Sequence, residues 1–137
     1  MTPVRPKILF VCFGNMIRSQ MAEGFGRHLG GDRIDLFSAG LHPTGVVADA
    51  AVEAMAEKGI DIRGHSSKGL GDVPLDEMDY VVTMTGHKAE SIVPDSFAGT
   101  PVTWTVTDPI GRSDATYRTV RDEIEILVRK LIESIPR

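Results

Sequence analysis

Ile8-Leu9-Phe10-Val11-Cys12-Phe13-Gly14-Asn15-Met16-Ile17-Arg18-Ser19 is the stretch on which the reading of this chain turns. It opens with an apolar run of strand length, and beyond it Met21, Phe25 and Leu29 recur at helical spacing. Between strand and helix lies the chain's single cysteine. A strand that ends in a thiol and passes into a helix sets the sulfur against the helix N-terminus, whose unpaired N–H groups and dipole favour negative charge. The thiolate is the nucleophilic form, and such a setting promotes it. Gly14 and Asn15 are the residues best able to take left-handed backbone angles, and successive N–H groups in such a loop form an anion-binding nest. Arg18 adds a planar, two-pronged donor, and Ser19 a hydroxyl within reach of the sulfur. The segment Phe13, Gly14, Asn15, Met16, Ile17, Arg18, Ser19 therefore reads as an oxyanion-binding loop around Cys12. The plainer alternative is a small buried core thiol.

Working outward, strands at 7–12, about 33–38, 80–84 and 101–104 alternate with helices at 18–30, 47–58, 87–92 and 115–135. Gly30-Gly31 stops the first helix and Gly59 the second, while Val120, Ile124, Leu127, Leu131 and Ile132 share one face of the last. Alternation of this kind predicts an α/β fold, a parallel sheet with helices on both faces. Ligands of such sheets bind beyond the carboxyl ends of the strands. Cys12 closes the first strand and Asp108 follows the fourth, so both reach one rim. Asp108-Pro109 also has the composition of an ordinary turn opener.

At 137 residues and 42% hydrophobic content the chain suits one domain, 1–137, with a single core. The net charge of −4 argues against a nucleic-acid partner. No apolar run has membrane-spanning length, and Met1-Thr2-Pro3-Val4-Arg5-Pro6 lacks a signal-peptide pattern. One cysteine excludes an internal disulfide, so the reducing cytoplasm is the expected setting. His28, His42, His65 and His87 lack metal-ligand spacing and read as loop or surface residues, so no metal and no cofactor are expected. Trp104 reads as a core aromatic, and Glu23 as either a local helix partner or part of a solvated face. Arg121, Asp122, Glu123, Glu125, Arg129 and Lys130 read as the solvated side of the last helix.

Lys7 through Glu23 resembles the signature of the low-molecular-weight protein tyrosine phosphatase superfamily, which includes the thioredoxin-linked arsenate reductases. The likeness continues through Ser38-Ala39-Gly40, Gly64-His65-Ser66-Ser67-Lys68, Asp79-Tyr80-Val81-Val82-Thr83-Met84 and Asp108-Pro109. It implies a three-layer domain whose four-stranded parallel sheet has the order 2-1-3-4. It also implies Cys12 as nucleophile, Arg18 as oxyanion clamp, Asp108 as general acid, and Asn15, Ser19 and Ser38 as supporting residues. Asn15 and Ser38 are expected to brace the loop together.

Two branches of the superfamily compete. Gln20 stands where the tyrosine phosphatases usually have proline, and Val120-Arg121-Asp122-Glu123-Ile124 resembles the arsenate reductases. Those reductases carry two further cysteines after the third strand, and this chain has none. Ile17 also replaces a frequent second cysteine of the loop, and Lys68 a carboxylate of the potassium-binding reductases. Met84 matches the phosphatases, yet no aromatic residue follows Asp108-Pro109 to grip a phosphotyrosine ring. Hydrolysis of a phosphomonoester of the phosphotyrosine type, through a phosphocysteine, needs only residues the chain has and is the leading expectation. The alternative is arsenate reduction with an external thiol, such as glutathione or mycothiol, or a redoxin partner.

Overall fold

The computed structural model describes residues 5–136, so residues 1–4 of the N-terminal stretch read above lie outside the described residues. Four strands, β1 (Lys7–Cys12), β2 (Asp35–Gly40), β3 (Tyr80–Thr83) and β4 (Thr100–Thr103), form one parallel sheet in the order β2-β1-β3-β4. Three α-helices accompany them, α1 (Arg18–Gly30), α2 (Asp49–Ala56) and α3 (Asp114–Ser134). The α/β class and the strand order are those predicted, whereas the α-helices expected on both faces all lie on one.

β1 is the inner strand that carries the site, and its sequence explains its place. Ile8, Leu9, Phe10 and Val11 are wholly buried, as expected of a strand covered on both faces. Each such side chain contributes about 1.5–3 kcal/mol relative to exposure. Ile8, Phe10 and Cys12 face a core built with Met21, Phe25, Met55, Val120 and Ile124, which places all three α-helices on one side of the sheet. Leu9 and Val11 face the other way, toward Ala39 and Val81. That second face is closed by segments with single 3-10 turns, at Leu70–Asp72, Leu75–Glu77 and Ala89–Ser91, instead of α-helices. The helix expected at 87–92 is therefore only the last of these turns.

β2 begins two residues later than expected, because a 3-10 turn at Gly31–Arg33 intervenes, and it runs through Ser38-Ala39-Gly40. Its last residue, Gly40, pairs in register with Cys12. α3 is capped by Ser113, whose Oγ accepts the Thr116 N–H at 3.3 Å. Arg121 departs from the expected solvated face. It is buried, donating from Nη1 to Ala54 O at 2.9 Å and to Glu57 Oε1 at 2.7 Å, and so ties α3 to the C-terminal end of α2. No helix among the described residues is long and apolar enough to cross a membrane.

Candidate active site

The loop between β1 and α1 has its carbonyls and its N–H groups sorted. Every carbonyl from Cys12 to Ile17 accepts a hydrogen bond: Cys12 from Leu41 N, Phe13 from His42 N, Gly14 from Thr44 N, Asn15 from Gln20 Nε2, Met16 from Ala48 N and Ile17 from Met21 N. Among the described residues, no backbone N–H from Phe13 to Ser19 donates to any protein acceptor. Seven successive N–H groups free of protein partners in one loop form a cradle for an anion. α1 adds to it, because its first residue is Arg18 and its N-cap, Ile17, offers no side-chain acceptor.

The backbone conformation rests on two residues. Asn15 is the only non-glycine residue with positive φ among those described, at 48°, whereas Gly14 keeps negative φ despite the expectation for both. Gly40 matters through its missing side chain. A Cβ there would lie 2.7 Å from Asn15 N, 2.8 Å from Gly14 C and 2.9 Å from Phe13 O, so the loop packs directly on the end of β2.

Cys12 lies on the floor of the cradle, only 3% exposed, with Sγ 2.9 Å from Ser19 Oγ. Ser19 Oγ accepts Asn15 Nδ2 at 2.8 Å, which leaves its own proton for the sulfur. Asn15 is oriented in turn by Lys68 N and Gln20 Nε2, both donating to Oδ1. Gln20 Nε2 faces three oxygens, so its Oε1 must accept from His65, and Nδ1 of that ring carries the proton. His65 is thus part of the support of the site and not a loose loop residue. Burial pushes its pKa below the usual histidine range, opposed by the Glu23 carboxylate near Nε2.

Arg18 is buried under the rim. Its Nη1 donates to Val106 O at 3.0 Å and Nη2 lies 3.6 Å from Asp108 Oδ2, while Nε makes no hydrogen bond among the described residues. Asp108 is partly exposed, and its Oδ1 accepts the Ile110 N–H across Pro109. Arg18 and Asp108 therefore meet beyond the carboxyl end of the sheet, the end at which Cys12 closes β1. Ser38 does not brace Asn15 as expected, because its Oγ donates to Glu23 Oε1 within the core. Glu23 is buried and accepts Arg27 Nε at 2.9 Å on the same helix, so of its two readings the local helix partner holds and the solvated face does not.

Sequence reasoning missed the structural part of Gln20 and the contact of Glu23 with Ser38, since polar side chains at helix positions give no sign of burial. Trp104, expected in the core, is half-buried: its ring tilts against Phe10 with centroids 5.8 Å apart, and it also lines a cleft with Phe13, Arg18 and Asp108. Phe13, 54% exposed, forms the rim with His42. Among the described residues no cluster of His, Cys, Asp or Glu could hold a metal ion.

A thiol under a helix N-terminus, with arginine and carboxyl at the same rim of a parallel sheet, defines a thiolate enzyme acting on tetrahedral oxyanions. Residues 7–137 match the sequence model of the low molecular weight phosphotyrosine protein phosphatases, and the chain belongs to that family. Arsenate reductase 2 of Staphylococcus saprophyticus is 36% identical over 129 residues, covering 93% of this chain and 96% of that protein. A solved arsenate reductase in its phosphate-binding state superimposes with a TM-score of 0.86 at 35% identity, covering 96% of this chain and 99% of the other. The YwlE arginine phosphatase from Geobacillus stearothermophilus gives 0.82 at 30% identity, with 93% and 91% covered.

Proposed function

We propose that this protein is an arsenate reductase that works through Cys12 alone and draws its electrons from an external thiol. The observation that carries the reading is the lone thiol on the floor of an N–H cradle, in a chain whose relatives at 36–39% identity are named arsenate reductases. These relatives raise the alternative drawn from the sequence above phosphomonoester hydrolysis. Cys12 thiolate attacks arsenic and forms an S–As bond while one As–O bond breaks. Asp108 gives its proton to the departing oxygen, which leaves as water. Arg18 and the loop N–H groups hold the remaining oxygens. A thiolate from outside then attacks the Cys12 sulfur; the S–As electron pair passes to arsenic, arsenic(V) becomes arsenic(III), and a mixed disulfide forms. A second thiol frees Cys12. Two thiols thus become one disulfide as arsenate becomes arsenite and water.

The same groups support a second reading, favoured by the Asp108 carboxylate beside Arg18 and by the likeness to solved phosphatases. Here Cys12 attacks phosphorus, Asp108 protonates the leaving oxygen, and the same carboxylate then activates water against the phosphocysteine. In both readings residues 1–137 act as one unit, with neither nucleic acid nor membrane as partner, and the cytoplasm keeps Cys12 reduced.

The test runs both reactions on purified protein. Arsenite release is followed with glutathione, mycothiol or a thioredoxin system, and phosphate release from an aryl phosphate. Thiol-dependent arsenite formation that Cys12→Ser abolishes supports the first reading. Negligible arsenite with brisk phosphate release contradicts it in favour of the second.

A further inference from the structure

Beside the cradle runs a cleft of about 360 Å³ that none of the steps above fills. Phe13, Arg18 and Asp108 are among its lining residues, so it shares its wall with the candidate site. Thr85, Gly86, Trp104 and Thr105 line the rest. Of these, Thr85 Oγ1 already accepts from His87 N, whereas neither the Trp104 indole N–H nor the Thr105 hydroxyl has a hydrogen-bond partner among the described residues. The cleft is therefore lined by an aromatic residue and a hydroxyl residue whose donors have no protein partner, and it shares Arg18 and Asp108 with the site of Cys12, a residue only 3% exposed.

We infer that this cleft is the binding subsite of a low-molecular-weight thiol, the external reductant of the Cys12 cycle; the inference rests on the arsenate-reductase reading. Its dimensions suit a molecule of a few hundred daltons lying along the Trp104 face, with its carbonyl, carboxylate or hydroxyl oxygens taking the free donors. The thiolate end then points past Phe13 toward Cys12. It attacks the sulfur of the Cys12–arsenic adduct, the S–As pair leaves with arsenic, and the product is a mixed disulfide still seated in the cleft. The depth of Cys12 favours a slender thiol over the active-site disulfide loop of a redoxin, which has to bring a whole protein surface to the floor of the cradle. Gly86, with φ of 88°, adds no side chain to the cleft lining.

Trp104 is the chain's only tryptophan, so its fluorescence reports on the cleft independently of turnover. The experiment titrates S-methylglutathione into protein saturated with inorganic phosphate, in parallel with arsenite release driven by glutathione and by a thioredoxin system. Saturable quenching of Trp104 is expected, and Thr105→Val should raise the glutathione KM about fivefold, the loss of one hydrogen bond. Thr105→Phe, which fills the cleft, should abolish the quenching, while phosphate affinity measured by calorimetry shows that the cradle stays intact. A flat fluorescence titration, or arsenite formed with thioredoxin alone, overturns the subsite while leaving arsenate reduction standing. Arsenite absent with every reductant overturns the functional reading itself.

Discussion

Cys12 depends on residues that never touch a substrate. Its partner Ser19 is held by Asn15, and Asn15 by Gln20 and the Lys68 N–H, so the sulfur is placed by a chain of buried polar contacts. Replacing Asp108 with Asn keeps its shape but removes the transferable proton; kcat should fall about 10²–10³-fold with phosphate affinity little changed, as steady-state kinetics and calorimetry would show. Gly40→Ala should act oppositely. A methyl within 2.7–2.9 Å of the loop backbone has to displace it, weakening phosphate binding and costing about 1–3 kcal/mol in a denaturant melt. The candidates Cys12, Arg18 and Asp108 could be named from the sequence because the proposed chemistry needs particular side chains at a strand end, a helix start and the loop after a strand. Gln20 was legible only as a departure from relatives, and Ser38 was assigned the wrong partner, because side-chain orientation in a core depends on contacts far apart in the chain. Gly40 appeared in the sequence only as part of a motif, its reason being the close approach of a loop.

At the level of elements, the alternation of apolar runs and helical spacing was enough for the four strands, the three α-helices and their parallel arrangement. What it could not show was which face each helix covers. The stretch 70–78 packs one face with short turns and scattered apolar residues, and such segments carry no periodicity to read. Arg121 escapes for a related reason, since one charged residue among nine on α3 looks solvated until α2 is placed beside it. It holds the α2 terminus through Ala54 O, and with Arg118 it keeps Glu57 below the usual carboxylate range, the Arg118 hydrogen bonds being the larger cause. Arg121→Ala should therefore destabilise the fold by about 2 kcal/mol, measured by urea unfolding, with phosphate affinity of the folded protein retained.

For the whole molecule, His65 gives stability a pH dependence with a definite sign. Its pKa is lowered by burial in the folded state, so below the ordinary histidine value the unfolded chain binds more protons than the native one. Its contribution is present at neutral pH and is lost as pH falls from about 6.5 through the lower folded-state value. His65→Gln should flatten that part of the curve in thermal melts between about pH 7 and 5. The central question for the molecule is how a single thiol completes its cycle. The direct measurement is intact-protein mass after one turnover with arsenate and limiting glutathione, with arsenite quantified in the same sample. One glutathione bound through Cys12 per arsenite released is the expected result. Unmodified Cys12 with no arsenite, in protein that turns over an aryl phosphate, would contradict it.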